Sequence, residues 1–173
     1  MSAATDAATA PVDWRNLALG PNGRSLIEAS AGTGKTYAIA ALAARYLADG
    51  VVSADGLAVI SFSRIASAEL RSRVRERLVG TAANLTGHLA GASTGPLDPT
   101  DHLLVAGSRD DINGRIARLH RAIAELDAAS IMTIHQFCQA MLDELGVLAE
   151  QDPNSALTDD LSLIVDQVTD DLF

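Results

Sequence analysis

Eight consecutive residues carry the clearest chemistry in this 173-residue chain: Ala29, Ser30, Ala31, Gly32, Thr33, Gly34, Lys35 and Thr36. Small residues let backbone N–H groups curl around phosphate oxygens, and a helix opening just after them adds partial positive charge. This is the pattern of a phosphate-binding loop. In that pattern Lys35 reaches the β- and γ-phosphates of ATP, and the Thr36 hydroxyl holds Mg²⁺. Ala29 stands where the pattern usually has its first glycine. Lys35 is the single lysine among thirteen basic residues. Arginine cannot reproduce a compact ammonium, so a lysine kept against that bias fits a fixed chemical need.

Two further clusters are candidates. Ser61, Phe62 and Ser63 precede an Arg-rich stretch, with Arg64, Arg71, Arg73, Arg75 and Arg77 against Glu69 and Glu76. Serine hydroxyls can donate to phosphate, Phe62 can meet a base, and arginines can raise the local field for nucleic acid. Taken alone, the arginines are better explained by a solvated amphipathic helix with an Arg-rich exposed face. The third cluster is Thr133, Ile134, His135, Gln136, Phe137 and Cys138. His135 and Cys138 lie three residues apart, but Cys138 is the only cysteine, and His88, His102 and His120 have no ligand-like spacing. Neither a metal centre nor a catalytic cysteine is expected there.

The elements needed to position these clusters are legible in part. Ser25–Ala29 is a strand candidate, and a helix over Lys35–Ala48 ends at Asp49-Gly50. The apolar run Leu57–Phe62 predicts a buried parallel strand, and the spacing of Leu70, Val74 and Leu78 a helix over 65–79. Residues 80–111 contain Gly87, Gly91, Gly95, Pro96 and Pro99 and read as a flexible connection. Helical spacing returns over 112–126, a β-like run follows over 130–134, then a helix over 135–148 and a helical face over 158–172. On these elements the expected fold class is α/β: strand, loop, helix, strand, helix, a βαβ start to a doubly wound parallel sheet. The expected divisions are a flexible segment at 1–20, in which Trp14 packs only weakly, then 21–80, 81–128, 129–149 and an acidic helical part at 150–173.

Composition sets outer limits. Hydrophobic residues make up 48% and aromatic residues 3%, so a core must be built from Ala, Leu, Ile and Val. The formal charge is -9, but residues 150–173 hold seven acids and no base, leaving -2 for the rest. Net charge therefore does not argue against nucleic acid. No apolar run approaches the roughly 20 residues of a membrane span. No basic and apolar leader is visible, and a lone cysteine fits a reducing compartment, so the expectation is cytoplasmic and away from membranes.

In this order, the three clusters resemble motifs of the UvrD-like superfamily 1 DNA helicases. Leu26–Thr36 looks like helicase motif I. Ser61, Phe62 and Ser63 with Ala66 and Ala68-Glu69-Leu70-Arg71 is similar to motif Ia. Thr133–Cys138 looks like the TIHxFC motif. The phrasing of the first leans to the RecB family, the exodeoxyribonuclease V beta subunits, although AddA helicase–nucleases carry a similar trio. The resemblance covers roughly residues 20–149.

The resemblance implies part of a RecA-like P-loop domain, a parallel sheet with helices on both faces, plus the start of a helical insertion subdomain. It also implies an ATP-driven motor moving 3′ to 5′ on single-stranded DNA, acting at duplex ends in break repair and recombination. It implies RecC-like and RecD-like partner subunits. It makes Ser61, Phe62, Ser63, Arg64, Thr133 and His135 a DNA-contacting set. Ser61 and Ser63 depart from the family's threonines, keeping the hydroxyl and losing the methyl. No glutamine precedes Gln136, so adenine reading by an upstream glutamine is not supported. A carboxylate pair for Mg²⁺ is also not found. Asp166 ends an apolar run, but helical spacing explains that run and no second acid follows. The expectation is therefore an N-terminal ATP-binding portion of such a helicase, inefficient in hydrolysis and unable to unwind DNA by itself. A small P-loop kinase and a noncatalytic nucleotide-binding module stay open on the residues alone.

Overall fold

The computed structural model describes residues 13–17, 24–30, 32–92 and 95–145. The predicted helical face over 158–172, with Asp166, lies outside the described residues, as does Ala31 of the phosphate loop. The chain divides into two compact units, Met1–Phe137 and Cys138–Phe173. The first holds helix α1 (Lys35–Ala48), strand β1 (Ala58–Ser61), helices α2 (Arg64–Leu89), α3 (Pro99–Leu104) and α4 (Arg109–Ala124), and strand β2 (Ser130–Thr133). Helix α5 (Ile134–Leu145) begins in the first unit and continues into the second.

The core is made of small and aliphatic side chains. Helix α1 buries Ala40, Ala43, Ala44, Leu47 and Ala48 against Val74, Leu78 and Leu85 of α2 and Leu119 of α4. Alanine loses no side-chain entropy and propagates helix best, so an Ala-rich face is stable and lets neighbouring helices approach closely. The helix stops where predicted: Gly50 takes a φ of 73°, and the Val51 N–H reaches back to Tyr46 O at 3.0 Å. That backward bond with a left-handed glycine is a Schellman stop.

Strands β1 and β2 pair in parallel, Ala58 with Ser130 through Ser61 with Thr133. Helix α2 packs on the face carrying Val59, Ser61, Ile131 and Thr133. On the other face Ala58 and Ile60 are exposed among the described residues, so β1 is parallel but not buried on both sides. No described helix is long and apolar enough to cross a membrane.

Three further sequence expectations need correction. Residues 25–29 form no strand among the described residues, and Leu26 is 87% exposed. An apolar run becomes a strand only beside another strand, and among the described residues none adjoins it. Helix α2 does not end at Val79 but continues to Leu89. Thr81, Ala82 and Leu85 extend its buried face, while Gly80 and Gly87 look onto open space. Tertiary burial there overrides a propensity cost of about 1 kcal/mol per glycine. Finally, α3 interrupts the expected connection. Its signal was local: Asp98 caps it by accepting the Thr100 N–H, and Pro99 occupies its first turn.

Candidate functional site

Gly34 caps α1 with a φ of 87°, and Gly32 has a φ of 77°. Both lie in the left-handed region that disfavours a Cβ. At Gly32 an added Cβ would meet nothing within 4 Å, so the backbone angle, not space, demands glycine there. The Thr33 hydroxyl donates to Ser30 O at 2.7 Å, closing the loop on itself. Lys35 Nζ donates to Ala29 O at 2.9 Å and Ser30 O at 2.8 Å, so the ammonium lies across the loop it belongs to.

No side chain caps α1, and its first turn holds no acid. The free N–H groups of that turn and the Lys35 ammonium thus form a donor set suited to an anion. Thr36, half-buried, follows directly. A cleft of about 480 Å³ opens beside the loop, lined among others by Trp14, Ile27, Ser30, Lys35, Tyr37 and Ile39.

The second and third clusters meet at one place. Ser61 and Thr133 are register partners at the carboxyl ends of β1 and β2, so the segments after them leave the sheet side by side. In open parallel sheets, ligands bind outside those ends. Ser63 caps α2, accepting the Ala66 N–H at 3.1 Å, and the Ser61 and Ser67 hydroxyls bond at 2.9 Å. Phe62 projects between strand and helix, 88% exposed, and Arg64 is exposed with no ion pair among the described residues.

Thr133 is buried and forms a capping box with Gln136. The Gln136 N–H reaches Thr133 Oγ1 at 3.3 Å, while the Thr133 N–H and hydroxyl donate to Gln136 Oε1 at 3.0 and 3.1 Å. His135 is exposed on the first turn of α5. None of these residues lines the cleft beside Lys35.

The remaining arginines of α2 are engaged elsewhere. Arg73 pairs with Glu69 and Glu76, and Arg75 with Asp127. Arg71 donates to Ile131 O at 3.0 Å, tying α2 to β2. Arg77 Nη2 lies 2.8 Å from both Asp98 and Asp101. The Arg-rich row expected to enrich a nucleic-acid field is thus largely committed to protein contacts.

Sequence reasoning missed the network around Arg77. Asp101 is fully buried and accepts from Arg77, Thr81 and Asn84 at 2.8, 2.9 and 2.7 Å. Asp98 accepts from Tyr37, Arg77 and Thr100. Burial pushes the Asp98 carboxyl up, but bonds from Arg77, Tyr37 and Thr100 outweigh it and hold it well below the usual carboxylate range. Burial and the Asp98 bond raise Tyr37. The Arg77 guanidinium also lies over the Tyr37 ring, 5.6 Å from its centroid. Tyr37 meets Trp14 edge to face at 6.0 Å, so the segment expected to be loose contributes a packed aromatic.

Comparison with known proteins adds the family. The UvrD/REP helicase N-terminal domain matches over residues 11–172. The chain is 40% identical over 153 residues to the RecBCD enzyme subunit RecB of Mycolicibacterium smegmatis, covering 88% of this chain and 13% of that protein. It is 39% identical over 149 residues to the subunit of that name in Mycobacterium tuberculosis (86% and 13%). The Haemophilus influenzae subunit is 33% identical over 168 residues (93% and 13%). The chain thus spans about 13% of the length of these relatives.

Proposed function

The chain belongs to the UvrD/REP helicase family and carries its N-terminal domain; on that premise we propose that it is the ATP-binding and DNA-contacting front of a RecB-like helicase. In this reading Ser30, Gly32, Thr33, Gly34 and Lys35, with Ala29 and Ala31, cradle the triphosphate of ATP, and the Thr36 hydroxyl takes Mg²⁺. The residues fit the group: left-handed glycines, an uncapped helix start and an ammonium lying on neutral carbonyls. When bound, ATP supplies the free energy of phosphoryl transfer. The chain's own residues bind and orient it.

Phe62, Ser63, Arg64 and His135 face single-stranded DNA, with Ser61 and Thr133 shaping the two turns that present them. The single observation that carries this is the Ser61–Thr133 register, which sets both segments at one end of the sheet. The parent activity is ATP-dependent 3′ to 5′ unwinding at duplex DNA ends, with RecC-like and RecD-like subunits, in the cytoplasm. The family match removes the reason to keep a small kinase.

Fluorescence anisotropy with a labelled single-stranded oligonucleotide at low salt tests the DNA half. Binding should weaken as salt rises, and Phe62→Ala should weaken it by about 1–3 kcal/mol, the worth of one base stack. Salt-independent or Phe62-independent binding would refute the assignment. An ATPase assay on the 173-residue chain should show no turnover above background; Lys35-dependent turnover would refute the view that it binds without hydrolysing.

A further inference from the structure

We infer that the depression between the end of α1 and the last turns of α4 is a docking site for the C-terminal residue of a partner polypeptide, with its carboxylate held by Arg118 and Arg121. The site lies far from the phosphate loop. Helix α1 runs from Lys35 to Ala48 at about 1.5 Å per residue, which puts Gly50 roughly 20 Å from Lys35. Ser53 and Ala54 line the depression and precede β1, so it also lies away from the strand end that carries Ser61.

Arg118 is built into the wall. Its Nε donates to Ala48 O, one of the last carbonyls of α1, at 2.6 Å. Its side chain then crosses Gly50 so closely that a Cβ there would lie 3.1 Å from Cδ and 3.2 Å from Nε. The left-handed φ of 73° and this crossing both require glycine at position 50. Only one of the five guanidinium N–H groups of Arg118 is spent on that bond. Arg121, one turn further along α4, has no side-chain partner among the described residues. Two guanidiniums with unused donors therefore share one small concavity.

The size and layering of the concavity choose the ligand. It measures about 210 Å³, below the roughly 300–1,000 Å³ of drug-sized sites, so it takes a residue-sized group. Its apolar lining is Leu47, Val52, Ala54 and Ala122, of which all but Val52 are buried, whereas Arg118 and Arg121 are exposed at the edge. A glutamate or aspartate would push its charged tip toward the apolar lining. A C-terminal aliphatic residue reverses that order: its side chain goes in and its carboxylate stays at the edge, where guanidiniums bind carboxylates in pairs of parallel bonds. Glu125 shares the edge, so two positive charges against one negative leave a single net positive charge. Asp49 nearby is already paired with Arg115 at 2.8 Å. One net charge matches one carboxylate and disfavours a polyphosphate or a nucleic-acid strand.

The test is a titration of the isotope-labelled 173-residue chain with the peptide Gly-Ser-Gly-Ala-Leu, followed by the amide signals of Gly50, Ser53 and Ala122. The free-carboxylate peptide should shift these signals saturably. Its C-terminal amide should bind at least about tenfold more weakly, the worth of a lost charge-assisted bond. Arg118→Ala also removes a bond to α1, so Arg121→Ala is the cleaner variant. It should weaken the peptide by about fivefold or more, keep the urea midpoint and leave Lys35-dependent ATP binding unchanged. The inference is overturned by any of three results. The amide, or an amidated peptide with an internal glutamate, binds within twofold of the free-carboxylate peptide. Arg121→Ala stays within twofold of wild type. No saturable shift develops up to about 5 mM peptide, where a millimolar site would be mostly filled.

Discussion

Two charge clusters meet at the first turn of α1 and are satisfied in opposite ways. Among the described residues Lys35 has only carbonyls of its own loop as partners, Ala29 O and Ser30 O, and it is exposed. Two residues on, Tyr37 joins a cluster in which Asp98, Asp101 and Arg77 are bonded to one another and to Thr81, Asn84 and Thr100. A cation resting on neutral carbonyls can exchange them for phosphate at small cost. A buried carboxylate with three donors cannot lose one without leaving polar groups stranded. The first arrangement suits a site that must receive a ligand, and the second suits a joint that must not move.

The sharpest way to break this contrast is to remove the centre of the joint. Asp101→Ala leaves Thr81 and Asn84 without their acceptor in the core and Arg77 with Asp98 alone. The expected loss is about 3–5 kcal/mol of folding stability, read from urea denaturation. A loss below about 1 kcal/mol would mean the cluster is not the joint described here.

Next in size is the opposite change. Lys35→Ala should lower nucleotide affinity by about 1.5–3 kcal/mol, the worth of a charged hydrogen bond, and leave the urea midpoint nearly unchanged. If Lys35→Ala unfolds the protein instead, the loop is itself structural and the contrast fails.

The difference between the clusters also explains what could be read from the sequence. The phosphate loop is local: residues 29–36 suffice to recognise it, and α1, both strands and α4 follow from periodicity within single segments. The Arg77 network is not local. It joins α1, α2 and the start of α3 across 61 positions between Tyr37 and Asp98, and no spacing rule links them. Arg77 looked like one more member of a solvent-facing row because Arg71, Arg73 and Arg75 share its alternation. The strand expected at 25–29 failed for a related reason, since a ladder depends on a partner from elsewhere in the chain. Residues 80–89 misled through their glycines, because the burial of Leu85 that keeps α2 going is visible only once α4 is in place.

A smaller effect sharpens the picture of the joint. The Asp98 carboxyl sits below its unfolded value of about 3.9, so the stability it contributes is complete above that pH. That stability declines as pH falls below about 4 toward the lower folded value. Urea midpoints between pH 5 and pH 2 should therefore drop more steeply in the wild type than in Asp98→Asn. Parallel profiles would remove Asp98 from the joint.

The smallest expected effect concerns Arg73, on the same helix as Arg77 but facing solvent. Its contacts with Glu69 at 3.9 Å and Glu76 at 3.3 Å are i±4 and i±3 pairs between side chains more than half exposed. Such pairs contribute about 0.5 kcal/mol or less, since water screens them and ordering two long side chains costs entropy. Arg73→Ala should thus shift the urea midpoint barely at all. It should also leave the salt dependence of oligonucleotide binding unchanged, because an arginine shared between two glutamates has little field to offer a phosphate. Removing one cation from a single-strand phosphate flattens the slope of log affinity against log salt by about 0.7. A drop of that size in Arg73→Ala would show that the arginine leaves its glutamates for DNA. The dividing line on α2 would then run between Arg73 and the half-buried Arg77, not between Arg64 and the arginines that follow it.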